Sequence, residues 1–360
     1  MLNMENDYLP MKSDYDMFEN ISYYYEYDLE EPSDVTDSHH FLHIISIVIY
    51  SVAFLLGVPG NAIVIWFTGI KWEKTFNTIW FLNLAVADLI FVLFLPFHIT
   101  YVATNFHWPF GKLLCKLNSF ITLINLFASV FFLSVIGLNR FLHLAFPSFS
   151  QKHFTLKKSV VISVIVWLSA SIIACPSLFF RDTLIISKTK TVCFINFHDT
   201  DTSLRMRRHM ILTLVRFLFG YFIPLITMIV CYTILTVKMK ANKAIVSSNF
   251  FWTTFAVVVA FFVCWTPFHI LMLLEIQVHH TNAIHDVLRI GVPLSTSLAF
   301  VNSCLNPILY VLTSKVFRVQ FCTTMANIFK HTIQDISQTG TLSEHLMETE
   351  NKPSFCETAT

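Results

Sequence analysis

The sequence predicts an all-α membrane protein, a seven-transmembrane helix bundle with a short amphipathic helix after the seventh span. Three observations carry that reading. Hydrophobic residues make up 55% of the 360 positions and charged residues only 13%, where an ordinary soluble domain carries about 25% charge. Seven apolar stretches, at roughly 41–69, 77–104, 112–145, 157–179, 208–237, 250–276 and 285–312, are each long enough to cross a bilayer as a helix. The charges are segregated into the connections, so the net charge of +1 says little and placement says much.

Residues 1–40 read as an acidic tail. Up to residue 38 they hold eleven acids (Glu5, Asp7, Asp14, Asp16, Glu19, Glu26, Asp28, Glu30, Glu31, Asp34 and Asp37) against Lys12, with Tyr23, Tyr24, Tyr25 and Tyr27 clustered among them. Such a composition predicts disorder. Two roles stay open: a solvated spacer, or a docking arm for a basic ligand, since a run of like charge steers at long range. The sole glycosylation sequon, Asn20-Ile21-Ser22, favours an extracellular amino end. No basic flank followed by an apolar core precedes the first span, which is therefore expected to do the targeting.

The bundle is read as 41–313. Lys71 and Lys74 follow the first span, Lys152, Lys157 and Lys158 the third, and Lys238, Lys240 and Lys243 the fifth, which marks those loops as cytoplasmic. One outer loop resists the pattern, because Arg181 to Arg208 holds six bases against Asp182, Asp199 and Asp201. Prolines at 59, 96, 176, 224, 267, 293 and 307 fall in every span but the third. Each frees a backbone carbonyl and favours a kink, so the third span is expected to be the straight strut. From Cys115 to Arg140 it covers 25 residues, roughly 38 Å at about 1.5 Å per residue. Of eight cysteines only Cys115 and Cys193 fall at or near outer span ends, which marks them as the disulfide pair.

After the seventh span, 314–329 places Phe317, Phe321 and Ile328 on one face, the pattern of a helix lying on the inner membrane surface against lipid. Cys322 in its middle is either a palmitoylation candidate or a plain buried thiol. Residues 330–360 are polar and rich in Ser, Thr and Glu, a disordered, phosphorylatable cytoplasmic tail.

Polar groups inside spans are costly and each is a functional hypothesis. Asp88 is the clearest. Asn125 and Ser129 lie four apart on the third span, and Asn302, Ser303 and Asn306 share a stretch of the seventh. These oxygens suggest either a cage for Na+ or a network of interhelical hydrogen bonds, and no other cofactor is indicated. No internal repeat, ring of charges or glycine-broken pair of spans supports a channel or transporter. No nucleophile–base or metal-ligand spacing appears, so no catalytic residue and no metal site are assigned, and nothing points to nucleic acid.

Taken together the residues resemble the rhodopsin class of G-protein-coupled receptors. The marks are Gly60-Asn61, Asn83, Asp88 closing LAVAD, Trp167, Pro224 with Tyr232, Cys264-Trp265-Thr266-Pro267 and Asn306-Pro307-Ile308-Leu309-Tyr310. Within the class, the runs GNAIVIWFTG, NFHWPFG, SLFFRDT, CWTPFH and TGTLSEHL resemble the chemerin receptors, with the formyl peptide and anaphylatoxin receptors as near relatives. The resemblance implies a plasma-membrane receptor for chemerin or a similar secreted protein, whose carboxyl-terminal peptide enters the bundle, with a G protein and arrestin as inner partners. It also implies that Arg216 takes the ligand carboxylate. A snorkelling arginine, or one paired with Glu275, is the alternative. Phe97, His98, Tyr101, Asn118, Leu123 and Phe268 are expected to line the outer cavity. Trp265 and Pro267 are expected to form the packing switch, with Tyr232 and Tyr310 steadying an open inner face around Arg140. One departure stands out: the acid that precedes the inner arginine in this class is Asn139 here, followed by Phe141. It leaves open a receptor that internalises ligand with little G-protein signalling.

Overall fold

The computed structural model describes residues 33–148, 150, 155–187, 190–197, 201–241, 249–276, 282–315, 317–324, 326–327 and 330. Asn20, most of the acidic tail, Ile328 and the tail beyond residue 330 lie outside the described residues. Among the described residues, seven helical spans are long and apolar enough to cross a membrane: Phe41–Lys71, Thr78–Ala103, Gly111–Ala145, Leu156–Phe180, Thr202–Lys238, Phe251–Glu275 and Ile290–Thr313.

The third span is the axis, as its freedom from proline predicts. Its 35 residues cover about 52 Å at 1.5 Å per residue, and buried side chains run along it from Cys115 to Asn139. Its contact with the fifth span is close: a Cβ on Gly137 would meet Met228 Sδ at 2.7 Å. The fourth span shows the opposite pattern, with Val161, Val164, Ile165, Leu168 and Ile172 exposed at helical spacing on one stripe. In a bilayer that stripe meets lipid, so its exposure carries no aqueous penalty. Polar side chains then tie the spans together, with Trp167 Nε1 donating to Asn83 Oδ1 at 2.8 Å and Asn61 Nδ2 to the Ser303 carbonyl at 2.9 Å.

Proline acts differently from place to place. Ahead of Pro96 the second span breaks at Leu93–Phe94, because a proline ring clashes with the turn before it. Pro267, Pro293 and Pro307 instead sit inside continuous helices. In the fifth span a π-helical turn, Leu218–Phe222, precedes Pro224.

Three features differ from the sequence reading. The first helix begins at Ser33, inside the stretch assigned to the disordered tail. The fifth helix begins at Thr202 rather than 208, because Asp201 caps it by accepting from Leu204 N at 3.0 Å. Arg205, Arg207 and Arg208 are therefore helical residues, not loop residues. Third, the loop after the fourth span is a β-hairpin, with β1 (Arg181–Ser187) antiparallel to β2 (Lys190–Ile195). Cys115–Cys193 pins β2 to the third span across a sequence separation of 78.

At the inner end a short helix, 317–324, follows the seventh span. Its Phe317 is buried against Trp72 (4.7 Å between ring centroids) and Tyr310 (5.5 Å), and Trp72 Nε1 donates to Gln320 Oε1. Cys322 lies half-buried on this helix.

The hairpin's other tie to the third span is ionic, Lys112 Nζ to Asp182 Oδ2 at 2.8 Å. Partial burial alone would raise the Asp182 pKa, but the Lys112 and Thr183 N–H bonds and the charges of Lys112 and Lys116 outweigh it and hold the carboxyl below its ordinary 3.8. A carboxyl depressed in the folded state adds stability above its unfolded pKa and loses it as pH falls through the lower folded value. Hairpin protection measured by hydrogen exchange should therefore hold from neutral pH down to about 4 and fall below the ordinary 3.8. Asp182→Asn should remove that acid limb.

Candidate functional site

Two polar regions stand out in the bundle. The deeper is organised by Asp88, fully buried on the second span. Asn125 Nδ2 donates to its Oδ1 at 2.9 Å and Asn306 Nδ2 to its Oδ2 at 2.7 Å, so spans two, three and seven meet on one carboxylate. Ser303 Oγ donates to Asn125 Oδ1 at 3.3 Å. Around this pair of bonds, Ser129 Oγ, Asn302 Oδ1, Asn306 Oδ1 and Asn61 Oδ1 are buried without a hydrogen-bond partner. Of the six residues singled out from the sequence, Asp88, Asn125, Ser303 and Asn306 are joined by hydrogen bonds, while Ser129 and Asn302 are buried with unused oxygens. Unsatisfied buried oxygens of this kind call for water or a cation. Among the described residues, no group of three His, Cys, Asp or Glu is arranged to hold a metal ion.

The outer region lies toward the hairpin. Arg216 is 14 residues into the helix that starts at Thr202, about 21 Å along its axis. Among the described residues it forms no ion pair, and Glu275 instead lies 3.9 Å from His209 Nε2. The Arg216–Glu275 pair weighed from sequence is thus not made. Arg181, of like sign, and Glu275, of opposite sign, both act electrostatically on Arg216.

Beside Arg216 the π-helical turn aims Tyr221 at the sixth span, where its hydroxyl lies 2.7 Å from Thr266 Oγ1. Tyr221 also packs on His269 at 5.0 Å. His269 is 1% exposed with Nε2 unpartnered, and it lies 6.2 Å from Trp265 and 5.6 Å from Phe268. Trp265 is buried with Nε1 unpartnered, one turn below His269.

The other expected lining residues divide. His98 and Asn118 pair at 3.4 Å between Nε2 and Nδ2, with His98 against Phe300 at 5.0 Å. Phe97 and Tyr101 instead pack under the outer cap, on Phe110 at 4.9 Å and Trp108 at 5.6 Å respectively. Leu123 packs against the main core. Sequence reasoning missed three residues here. Arg181, on β1, donates to the Cys193 carbonyl at 3.4 Å and its charge reaches both His98 and Arg216. Reading it needed the hairpin. Tyr221 needed the π turn, while His269 had a signal in its spacing of four from Trp265.

At the inner end Asn139 is buried with Oδ1 unpartnered. Arg140 lies close enough to Tyr232 for the two to interact electrostatically, and Tyr232 packs on Phe251 and Phe255. Tyr310 is fully buried on Phe81 at 4.9 Å.

The Tyr221–Thr266 bond joins spans five and six beside Arg216, so its loss is measurable. Tyr221→Phe and Thr266→Val should each lower the unfolding free energy by about 1 kcal/mol, the net worth of a neutral hydrogen bond. In thermal unfolding of the purified protein the double variant should cost less than the two singles together, because both remove one shared bond.

Comparison with known proteins agrees with this architecture. Residues 60–310 match the family of 7 transmembrane receptors (rhodopsin family). The chain is 52% identical to chemerin-like receptor 2 of Homo sapiens over 94% of its length and 95% of that protein. It is 49% identical to chemerin-like receptor 2 of Mus musculus over 96% of its length and 98% of that protein. Identity to chemerin-like receptor 1 of Rattus norvegicus is 39%, over 84% of each chain. With seven membrane spans, the outer disulfide and a family match across the bundle, the chain belongs to the rhodopsin family of seven-transmembrane receptors, on its chemerin-receptor branch.

Proposed function

We propose that this protein is a plasma-membrane receptor whose ligand is chemerin or a protein with a similar carboxyl-terminal peptide. The amino end and the hairpin face outside and a G protein docks inside. The observation that carries the reading is Arg216, a guanidinium within a membrane span that forms no ion pair among the described residues. Beside it lie His269, Phe268 and Trp265, a mostly apolar wall with few polar groups, as peptide and small-molecule sites have. A terminal carboxylate entering from the hairpin side meets Arg216 and gains charge-assisted bonds. Glu275, held toward His209, leaves that position to the ligand. Half-identity to proteins named chemerin-like receptors supports the choice of ligand.

In this reading the peptide bears on Trp265, and any shift in helix packing is driven only by its differential affinity for the two arrangements. Truncating one partner of such a charge pair costs about 2–5 kcal/mol. Arg216→Ala should therefore weaken binding of a labelled carboxyl-terminal chemerin peptide by roughly 30-fold or more, with surface expression unchanged. Unaltered binding by Arg216→Ala together with loss on Glu275→Ala would overturn this placement of the ligand.

A second reading keeps the ligand and removes the signal, and Asn139 favours it. Without a carboxylate there, Arg140 lacks the neighbouring acid of the class, a difference of up to about 1 kcal/mol for a partly exposed pair. GTP exchange on membranes separates the two. Chemerin-dependent exchange supports the signalling receptor, whereas arrestin recruitment through the Ser/Thr-rich tail with no exchange at any dose supports a ligand-internalising one.

The polar layer around Asp88 fits a Na+ ion. A monovalent cation there is held by the Asp88 carboxylate with hydroxyl and amide oxygens such as Ser129 Oγ. Replacing choline chloride by sodium chloride should change peptide affinity several-fold in the unaltered receptor and not in Asp88→Asn.

A further inference from the structure

The lipid-facing surface between spans six and seven is not flush. A groove of about 580 Å³ opens there, within the range of about 300–1,000 Å³ common to small-molecule sites. Ala256 and Ala260, one helical turn apart, lie along it between the taller side chains of Phe255, Val259 and Val263, and Leu305 and Thr313 of span seven form its other side. Along span six it runs from Trp252 to Cys264, about 18 Å at 1.5 Å per residue. That is close to half of the roughly 30 Å hydrocarbon core. The groove therefore occupies one leaflet, the one opposite the hairpin, where Trp252 and Thr313 stand at the ends of their spans.

Its lining is apolar except at that end. Thr313 Oγ1 donates to the Leu309 carbonyl, which spends its proton and leaves its lone pairs able to accept, while the Trp252 indole can only donate. An acceptor and a donor thus sit at interface depth, where aromatic belts lie. Phe255 packs edge-on against Trp252 at 6.1 Å and on Tyr232 at 5.5 Å, a ring wall held from both sides. A groove that faces hydrocarbon is filled by hydrocarbon, because an empty depression forfeits dispersion contacts. A flexible acyl chain loses rotamer freedom on lying there, whereas a rigid fused-ring body loses little. No charged residue lines the groove to meet a phospholipid headgroup. A single hydroxyl, which both donates and accepts, matches the pair at its end.

We propose that this groove is a binding site for a membrane sterol, with the hydroxyl held between Thr313 and Trp252 and the ring body lying over Ala256 and Ala260. Its far end reaches Cys264 and Leu305, the sequence neighbours of Trp265 and Asn306. A sterol seated there touches both spans. It favours the arrangement in which six and seven pack as they do here, by as much as its affinity differs between that arrangement and any other. Neither the ligand of the Arg216 region nor coupling to a G protein enters this inference.

A photoactivatable cholesterol analogue, added to the full-length purified receptor in phosphatidylcholine vesicles, tests it. Peptides covering Phe255 to Cys264 should carry the main label, which excess cholesterol lowers several-fold and epicholesterol, with its hydroxyl inverted, lowers far less. Thr313→Val and Ala260→Leu, the second of which fills the groove, should each cut labelling several-fold while thermal unfolding in sterol-free vesicles stays unchanged. Cholesterol should raise the unfolding temperature of the unaltered receptor and leave that of Ala260→Leu where it was. If Ala260→Leu fails to fold, Trp252→Phe, which removes only the indole donor, takes its place with the same loss of label expected. Label spread evenly over the lipid-facing spans, equal competition by epicholesterol, or labelling indifferent to these substitutions would each overturn the proposal.

Discussion

Asp88 is the point on which the bundle's inner geometry depends. A buried carboxylate without a cation beside it is expensive, and the cost is offset by two short amide bonds from Asn125 and Asn306. Those bonds come from different spans, so the charge can be kept only if spans two, three and seven hold their relative rotation and depth. The carboxylate therefore acts as a register pin. Asn61, bonded to the Ser303 carbonyl, brings the first span into the same layer.

The outer half rests on a different device. The disulfide and the Lys112–Asp182 pair hold the hairpin over the end of the third span, and the hairpin in turn carries Arg181, whose charge acts on Arg216 and His98. Two guanidiniums near one cavity repel, and the arrangement persists because each has other contacts: Arg181 bonds the Cys193 carbonyl, while Arg216 sits beside the Tyr221–Thr266 tie. The consequence is a concentration of positive charge at this end of the bundle. The π-helical turn at Leu218–Phe222 belongs to this logic, since an added residue in one turn re-aims the side chains that follow.

Packed aromatic groups line the sixth span and the far end of the seventh. His269, Trp265 and Phe261 stack along the sixth span, and Tyr310 closes the inner end against Phe81 and Phe317. Close-packed side chains change between discrete arrangements more readily than they deform.

Much of this protein was determined by the sequence alone. Apolar length and charge placement dictate seven spans, because a bilayer tolerates no unsatisfied backbone and few charges. The absence of proline marked the third span as the axis, and the position of two cysteines at outer ends marked the disulfide. The link of Asp88 to Asn125 and Asn306 was partly legible from spacing, since residues four apart on a helix share a face. Tertiary structure decided what spacing cannot express. The hairpin between Arg181 and Ile195 lacks a strong apolar alternation, so its strands exist by virtue of pairing and the disulfide. Glu275 lies toward His209 rather than in an ion pair with Arg216, a choice among partners set by packing between spans five and six. Phe97 and Tyr101, expected to line the outer cavity, pack on Phe110 and Trp108, contacts that only the folded loop creates. Sequence periodicity gives the face a residue occupies; which neighbour covers that face is a property of the folded bundle.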